Sequence, residues 1–284
     1  MGARGAVRLK KPEEIEAMRR AGDAVARIVR TLLADVSPGV TTRELNDRGR
    51  ELIEQEGAEG LFRGYVNGDA PPFQGDFCIS INDEVVHGLP GDRALRNGDL
   101  LSLDCGLRLE GWCADHASSV VVGGEQANPA AKRLIDAGWH VLEAGLGAMR
   151  PGVRWSTVGR VMEEAAEATG FGIVTEFVGH GIGRELHEAP KAPCYWTGYA
   201  GQDFTLTEGL VLAVEPILTM SRGADSGRPG ELPGWRTRVR VDPSDGWTVR
   251  TTDGSLACHV EHTVAVTGAG ADVLTSVVSS GAEA

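Results

Sequence analysis

The sequence has no long apolar run, no closely spaced pair of cysteines and no excess of basic residues. A membrane-spanning helix needs about 18 or more consecutive apolar residues, and no such run occurs. The charged N-terminus also lacks the apolar region of a signal peptide. Five cysteines without a C-x-x-C pair favour a reducing compartment over a disulfide framework. We therefore expect a cytoplasmic protein without a membrane segment.

Acidic residues predominate, with 40 Asp and Glu against 28 Lys and Arg and a formal net charge of -12. Binding to nucleic acids or to anionic membranes requires a basic surface, so neither partner is expected. Binding of cationic metals remains compatible with this charge. The 284 residues are enough for one large α/β or α+β domain with a sizeable core.

Helical periodicity occurs in two pairs of segments, each pair joined by a Pro-Gly turn. The first pair is Pro12–Leu33 and a helix that begins at Thr42 after a capping box, and the second pair begins with Asn128–Met149. Pro38-Gly39-Val40 returns as Pro151-Gly152-Val153. This spacing indicates an internal duplication, although chance similarity between two amphipathic hairpins is an open alternative.

The predicted organisation is a short extension at 1–11, a single catalytic domain at 12–268 and a tail at 269–284. The duplicated halves of the domain are about 12–124 and 125–268. If the duplication is real, the halves pack around a pseudo-two-fold axis with the functional site between them.

Two histidines lie in the glycine-rich stretch Phe177–Pro190, which we interpret as a turn-prone site. Its glycines permit a close approach of backbone to ligand, and His180 and His187 offer metal ligands or proton donors. The stretch lacks the G-x-G-x-x-G fingerprint, so a dinucleotide site is not favoured. A surface loop with incidental histidines is the alternative that this stretch alone leaves open.

Four carboxylates lie on segments with strand patterns. Asp104 and Asp115 flank the turn Glu110-Gly111 and are expected on adjacent strands facing one cavity. Glu215 ends one apolar strand, and Glu261 lies within the strand Cys258–Val266. Carboxylates on buried strands are disfavoured unless a cation compensates them, so the pattern predicts a metal site.

Two Asp, two Glu and His180 form a donor set dominated by oxygen. Such a set suits Mn, Co, Fe or Zn at a catalytic site better than a structural zinc site, which would use thiolates. Five ligands are too many for one catalytic ion with open positions, and they suit a pair of ions about 3.5–4 Å apart. The chemistry implied is metal-assisted hydrolysis.

From about residue 12 to residue 268 the chain resembles the type I methionine aminopeptidases, which are pita-bread metallopeptidases. The motifs that carry the resemblance occur in the order of that family: Asn82–Pro90, the Asp104 and Asp115 pair, Gly179–Gly183, Val214–Pro216 and Val260–Thr263. The resemblance implies an α/β (α+β) pita-bread fold. In this fold a curved antiparallel sheet is covered by two pairs of helices, with the metal site between the halves.

The resemblance also implies two divalent ions per chain, which would be Co, Mn, Fe, Zn or Ni. Asp104 would ligate one ion, His180 and Glu215 the other, and Asp115 and Glu261 would bridge them. A water activated to hydroxide would attack the first peptide carbonyl, with Glu215 as the proton acceptor.

Two further histidines receive roles from the same resemblance. His187 would stabilise the carbonyl oxygen as it becomes anionic, and His87 would contact the scissile amide or the second residue of the substrate. His259 and His262 are close in sequence to Glu261, and we expect His262 to be a packed residue.

A methionine side chain requires a narrow apolar pocket, and a small pocket restricts the second substrate residue to small side chains. By resemblance the pocket walls are Tyr65, Phe73, Cys78, Leu186 and Trp247, with His87 at the edge. The family commonly has cysteine where this chain has Val86, and an aromatic residue where it has Leu186. Thr219–Ser244 is expected to be an inserted surface loop.

The substrates implied are the N-terminal methionine peptides of nascent proteins, handled by a monomer, with transient ribosome contact as an open question. One alternative is an aminopeptidase P or prolidase-like enzyme, although those relatives usually carry an extra N-terminal domain for which this chain has no room. The other is a non-catalytic pita-bread binding protein, which would show broken ligand motifs, whereas all five ligands are present here.

Overall fold

The computed structural model describes residues 6–68, 70–197, 203–222 and 236–276. The long helices are α1 (Pro12–Asp35), α2 (Thr42–Gln55), α3 (Pro129–Ala148) and α4 (Trp155–Thr169). The strands of the first half are β1 (Glu59–Gly60), β2 (Cys78–Ile81), β3 (Glu84–Val86), β4 (Leu100–Leu109) and β5 (Trp112–Val121). Those of the second half are β6 (Gly172–Val174), β7 (Gly179–Gly181), β8 (Glu188–Ala192), β9 (Val211–Val214), β10 (Ile217–Thr219), β11 (Arg236–Thr237), β12 (Val239–Val241), β13 (Val249–Thr251), β14 (Ala257–His259), β15 (His262–Thr267) and β16 (Gly270–Val273).

The predicted helix pairs are present, and local chemistry explains where they begin. The Thr41 hydroxyl accepts a hydrogen bond from Glu44 N, while the Glu44 carboxylate accepts one from Thr41 N, which is the predicted capping box of α2. Gly39 and Gly152 have φ values of 96° and 86° in the two Pro-Gly turns, a conformation that glycine adopts at little cost. The equivalence of the two halves stays a prediction.

The first helix pair covers the predicted hairpin. β4 pairs with β5 along its whole length and also with β2 and β1. Glu110 and Gly111 both have positive φ, as a tight two-residue hairpin turn requires. One face of α1 and α2 packs on this sheet in a buried cluster that includes Ile28, Leu45 and Leu103.

The second helix pair covers the strands that follow. β16, β15, β9, β7 and β8 form a five-stranded sheet in that order, and β11, β6, β10 and β14 form a four-stranded one. α3 and α4 pack on β9, β10, β14 and β15 in a cluster that includes Leu142, Val214 and Val264. A bridge between Ala117 and Glu261 joins this half to β5. Three short strands, β12, β13 and β3, form a further sheet.

One strand prediction is confirmed and one requires correction. The apolar run that ends at Glu215 forms β9, whereas the predicted strand Cys258–Val266 is divided into β14 and β15 at Val260-Glu261. Pro216 has no N–H group to donate to a ladder, so the strand ends there. Glu261 therefore lies at a junction between two strands rather than inside one.

The interpretation of Phe177–Pro190 as a turn-prone segment was wrong at its centre. Gly179–Gly181 is the buried strand β7, which pairs with β8 and β9. A Cβ atom at Gly179 would lie 2.4 Å from the Ala213 carbonyl oxygen, and one at Gly181 would lie 2.3 Å from that of Ala189. Glycine is needed at both positions because the backbones of neighbouring strands approach closely there.

The predicted terminal segments contact the domain. Lys10, within the predicted extension, is buried, and its backbone N–H donates to Gly209 O at 2.6 Å. β16, within the predicted tail, pairs with β15 at the edge of the five-stranded sheet. Of the predicted insertion Thr219–Ser244, residues 223–235 lie outside the described residues, and β11 and β12 follow them.

Candidate active site

The two aspartates come from the interiors of β4 and β5. Asp104 pairs with Ala117 and Asp115 with Gly106, so the carboxylates are diagonal neighbours on one face of the hairpin. Asp115 is also tied to β15, because its N–H donates to Thr263 Oγ1 at 3.0 Å and its carbonyl accepts from that hydroxyl at 2.8 Å. The hairpin thus presents both aspartates to a single cavity.

The two glutamates come from the strand junctions. Val214 pairs with His262 in the five-stranded sheet, while Ile217 pairs with His259 in the four-stranded sheet. Glu215 and Glu261 therefore lie side by side, at the points where their two segments pass from one sheet to the other. Because neither glutamate belongs to a regular strand, its side chain can point into the cavity.

His180 is placed on β7 with a defined tautomer. Its Nδ1 donates to Gly181 O at 2.9 Å, so Nε2 keeps its lone pair for a ligand. Nε2 lies 3.7 Å from Glu215 Oε1 and 3.9 Å from Asp115 Oδ2. Asp115, His180 and Glu261 each offer a ligand atom, and these atoms all lie within 4.8 Å of one another, which could hold a metal ion.

The electrostatics of this cluster favour a cation. Burial raises the pKa of Asp115 to about 7, and burial together with the Asp115 charge raises the pKa of Glu215 to about 8. Burial and neighbouring carboxylates also raise the pKa values of Asp104 and Glu261 well above their usual range. Burial lowers the pKa of His180 to about 3, so this imidazole is neutral.

Buried oxygen atoms in the cluster have no hydrogen-bond partner among the described residues. They are Asp104 Oδ1, Asp115 Oδ1 and Glu261 Oε1. Native proteins rarely leave buried polar atoms unpaired, and divalent ions bind carboxylate oxygen and imidazole nitrogen. The residues present therefore fit the divalent metals that the sequence predicts.

The cavity is a cleft of about 400 Å³ that opens from the carboxylates to solvent. All five predicted pocket walls, Tyr65, Phe73, Cys78, Leu186 and Trp247, line it. Phe73 and Trp247 meet edge to face, with ring centroids 5.2 Å apart. A Cβ at Gly106 would lie 2.8 Å from Phe62 and 2.9 Å from Leu186, so glycine at this position lets both side chains pack closely on β4.

His87 and His187 lie at the mouth of the cleft. His87 follows β3 with a φ of 59°, and its ring meets Phe177 edge to face at 5.3 Å. Burial and the neighbouring His187 lower the pKa of His87 to about 4. The Tyr65 hydroxyl lies 3.2 Å from His187 Nδ1, and the His187 ring is 4.3 Å from that of His180.

The structure adds residues that the sequence did not assign to the site. Phe62 and Phe177 line the cleft, and so does His259. Phe177 begins the glycine-rich stretch and His259 lies two residues before Glu261, so both had a sequence signal, whereas Phe62 had none. His262 is packed away: it stacks on His116 at 5.1 Å and its Nδ1 lies 2.8 Å from Thr275 Oγ1.

A profile described as metallopeptidase family M24 matches residues 16–268. The chain belongs to this family. It is 37% identical over 268 residues to methionine aminopeptidase 1 of Bacillus subtilis (strain 168), and the aligned region covers 94% of this chain and 98% of the relative. Such extensive similarity places this M24 chain with the methionine aminopeptidases of the family.

Solved structures of the family agree in fold. Methionine aminopeptidase from Rickettsia prowazekii is similar with a TM-score of 0.84 and 30% identity, covering 95% of this chain and 100% of that chain. A prolidase from Pyrococcus furiosus shares the fold alone, with a TM-score of 0.69, 21% identity and coverage of 94% of this chain and 65% of that one.

These comparisons confirm the predicted pita-bread fold and the predicted enzyme class, a metallopeptidase that removes N-terminal methionine. They do not favour the prolidase-like or the non-catalytic alternative. Within the described parts of the chain, none of the helices combines the length and apolar content that a membrane crossing requires.

Proposed function

We propose that this M24 enzyme uses two divalent ions to remove methionine from nascent proteins whose second residue is small. One observation carries the proposal. Four buried carboxylates and a neutral imidazole meet at the inner end of an apolar cleft, and three of the carboxylates have buried oxygens without a hydrogen-bond partner in the described part of the chain. That arrangement is unfavourable without cations and suited to hydrolysis with them.

The ligands proposed are the five residues predicted from the sequence. Asp104 would hold one ion, His180 and Glu215 would hold the other, and Asp115 and Glu261 would contribute ligand atoms to both. When bound, the ions polarise the peptide carbonyl and lower the pKa of a water molecule. Glu215 takes a proton from the attacking water and returns it to the departing amine, so the products are free methionine and a peptide shortened by one residue.

The histidines at the mouth of the cleft act on the substrate backbone. We assign the Tyr65 hydroxyl as donor to His187 Nδ1, 3.2 Å away, so that His187 Nε2 carries a proton and donates it in a hydrogen bond to the carbonyl oxygen. His87, held neutral by burial, contacts the scissile amide or the second residue. Tyr65 thereby acts as a positioning residue as well as a wall.

The apolar end of the cleft binds the methionine side chain. Phe73, Cys78 and Trp247 form one buried cluster there, against which Phe62 packs. Aromatic edges around a narrow slot suit a thioether, which gains from packing and sulfur–aromatic contact. His87 and Phe177 narrow the outer part of the cleft, which supports the restriction to a small second residue.

Two further proposals concern the setting of the reaction. All five cysteines are free and buried, which supports a reducing compartment such as the cytoplasm. The corresponding substrates are nascent chains that begin with methionine. The enzyme acts on them as a monomer. The net charge of -12 argues against direct binding to ribosomal RNA.

The test is release of free methionine from Met-Ala-Ser by metal-stripped protein, with Mn, Co, Fe or Zn added back separately. We expect metal-dependent release that is lost in Asp104→Asn and kept in the matched surface variant Asp136→Asn. Met-Trp-Ser should be cut far more slowly. Cleavage of Ala-Pro-Ser alone would indicate an aminopeptidase P or prolidase-like enzyme. Tight metal binding without cleavage of either peptide would indicate a non-catalytic binding protein.

A further inference from the structure

His259 is a buried side chain of the centre to which the proposed mechanism gives no role. It is 3% exposed, and its Nε2 has no hydrogen-bond partner among the residues that the structure describes. Nε2 lies 3.8 Å from Glu215 Oε2 and 3.8 Å from Glu261 Oε2, both beyond hydrogen-bond distance. Buried imidazole nitrogens normally have a bonding partner. The Nε2 atom of His259 faces two carboxylates and bonds neither, so a partner that would lie between the nitrogen and the carboxylates is missing.

The backbone of His259 is held firmly enough to aim the ring. Its carbonyl accepts from Ser119 Oγ at 2.8 Å, and its N–H points at Ser102 Oγ and Ser119 Oγ, each 3.3 Å away. The two serine hydroxyls, 2.7 Å apart, bridge β4 and β5. β14 is also paired with β10 through Ile217. The backbone of His259 is therefore fixed by hydrogen bonds with β4, β5 and β10, while its ring makes no hydrogen bond within the described parts of the chain.

His259 and His180 lie at similar distances from the Glu215 carboxylate. The His180 Nε2 lies 3.7 Å from Glu215 Oε1, and the His259 Nε2 lies 3.8 Å from Glu215 Oε2. Two donors that are each about 2.1 Å from a shared ion lie between about 3.0 and 4.2 Å apart, depending on the angle between them. Glu215 is thus flanked by two imidazoles, with one oxygen towards each.

We propose that His259 is a further metal ligand of this centre, binding through Nε2. The inference rests on the proposed metal-dependent function and adds a second imidazole to its five ligands. Imidazole suits Zn, Co and Fe better than it suits Mg, so a second one biases the centre towards those borderline metals. The neighbouring His262 provides the contrast, because its ring already has His116 and Thr275 as partners.

The test is proton NMR of the full-length protein loaded with two equivalents of Co²⁺. Imidazoles bound directly to Co²⁺ show ring-proton shifts far outside the diamagnetic range, so the rings can be counted. We expect two such rings in the unaltered protein, one in His259→Gln and two in the matched control His262→Gln. A count of one in the unaltered protein overturns the proposal even if a variant fails to fold, and His259→Asn serves as a second variant for assigning a count of two.

The outcomes separate this inference from the function on which it rests. A single shifted ring in the unaltered protein, kept in His259→Gln, would overturn the role of His259 and leave the proposed centre with His180 intact. Two shifted rings that persist in His259→Gln would also overturn it. No shifted ring, with Co²⁺ bound elsewhere, would overturn both proposals.

Discussion

Two groups of buried carboxylates in this protein have opposite electrostatics. Asp76 is 6% exposed and accepts hydrogen bonds from Arg50 Nε at 2.9 Å and Arg63 Nη2 at 2.6 Å. Burial acts to raise its pKa, but the two guanidinium groups outweigh burial and hold the pKa below its usual range. Asp115 is 5% exposed, has no arginine or lysine partner among the described residues, and has a pKa raised to about 7.

The difference shows which carboxylates the fold itself completes. The Asp76 group is neutralised by the chain's own arginines, and it ties α2 to the segment that carries Tyr65 and Phe73. In the proposed metal centre, the carboxylates and a neutral imidazole receive no cation from the described residues. The depressed pKa of Asp76 thus accompanies a carboxylate that arginines neutralise, whereas the raised pKa values of Asp115 and Glu215 accompany carboxylates that we propose as metal ligands.

The largest effect is expected from Asp115→Asn. Activity should fall by more than about 100-fold, beyond the loss typical of residues outside the ligand shell. The metal-free protein should not lose stability, because the substitution removes a buried charge that has no cation. Steady-state kinetics and urea unfolding of metal-stripped protein measure the two effects. A marked loss of metal-free stability would break the comparison.

The reverse pattern is expected from Asp76→Asn. The free energy of unfolding should fall by about 1–3 kcal/mol, because two arginines lose their buried partner and the amide cannot replace the charge. kcat should change little, while KM for Met-Ala-Ser should rise as the segment carrying Tyr65 and Phe73 loosens. A variant with unchanged stability and no activity would show that Asp76 belongs to the catalytic machinery.

A difference in pH dependence follows from the two groups. Unfolded Asp and Glu titrate near pH 4, whereas folded metal-free Asp115 and Glu215 titrate at about 7 and 8. From pH 6.5 to 8 the folded state alone releases these protons, so metal-free stability falls as pH rises. Asp76 stays ionised in both states throughout this window.

Because a metal ion takes the place of those protons, the increase in Tm caused by Mn²⁺ should be larger at pH 8 than at pH 6.5. Differential scanning calorimetry of metal-stripped and metal-loaded protein at both pH values measures it. The Asp76→Asn variant should keep the pH difference, and Asp115→Asn should reduce it. An equal metal-induced shift at the two pH values would contradict the raised pKa values.

The smallest effect is expected from Arg63→Met. Arg50 remains bonded to Asp76, and the Arg63 side chain is 46% exposed, so the loss of stability should be about 1 kcal/mol or less. Urea unfolding beside Asp76→Asn measures it. A loss as large as that of Asp76→Asn would mean that Arg63 alone neutralises the carboxylate.

Local chemistry explains why so much of the fold was predictable from sequence. The Pro-Gly turns, the capping box at Thr41 and the Glu110-Gly111 hairpin are decided by neighbouring residues, and the structure contains all of them. The glycines of β7 were misinterpreted because turns and close strand packing both favour glycine. The backbone of Ala213 that requires Gly179 is distant in sequence.

The sequence by itself determined the helix pairs, the hairpin, the family and the set of residues proposed to carry the chemistry, because each depends on local pattern or on ordered motifs. Only the tertiary structure decided that Glu215 and Glu261 meet at strand junctions, that Asp76 is matched by arginines, and that His259 faces the carboxylates while His262 does not. Burial and partners determine whether a carboxylate or an imidazole is scaffold or ligand, and both come from residues far apart in the chain.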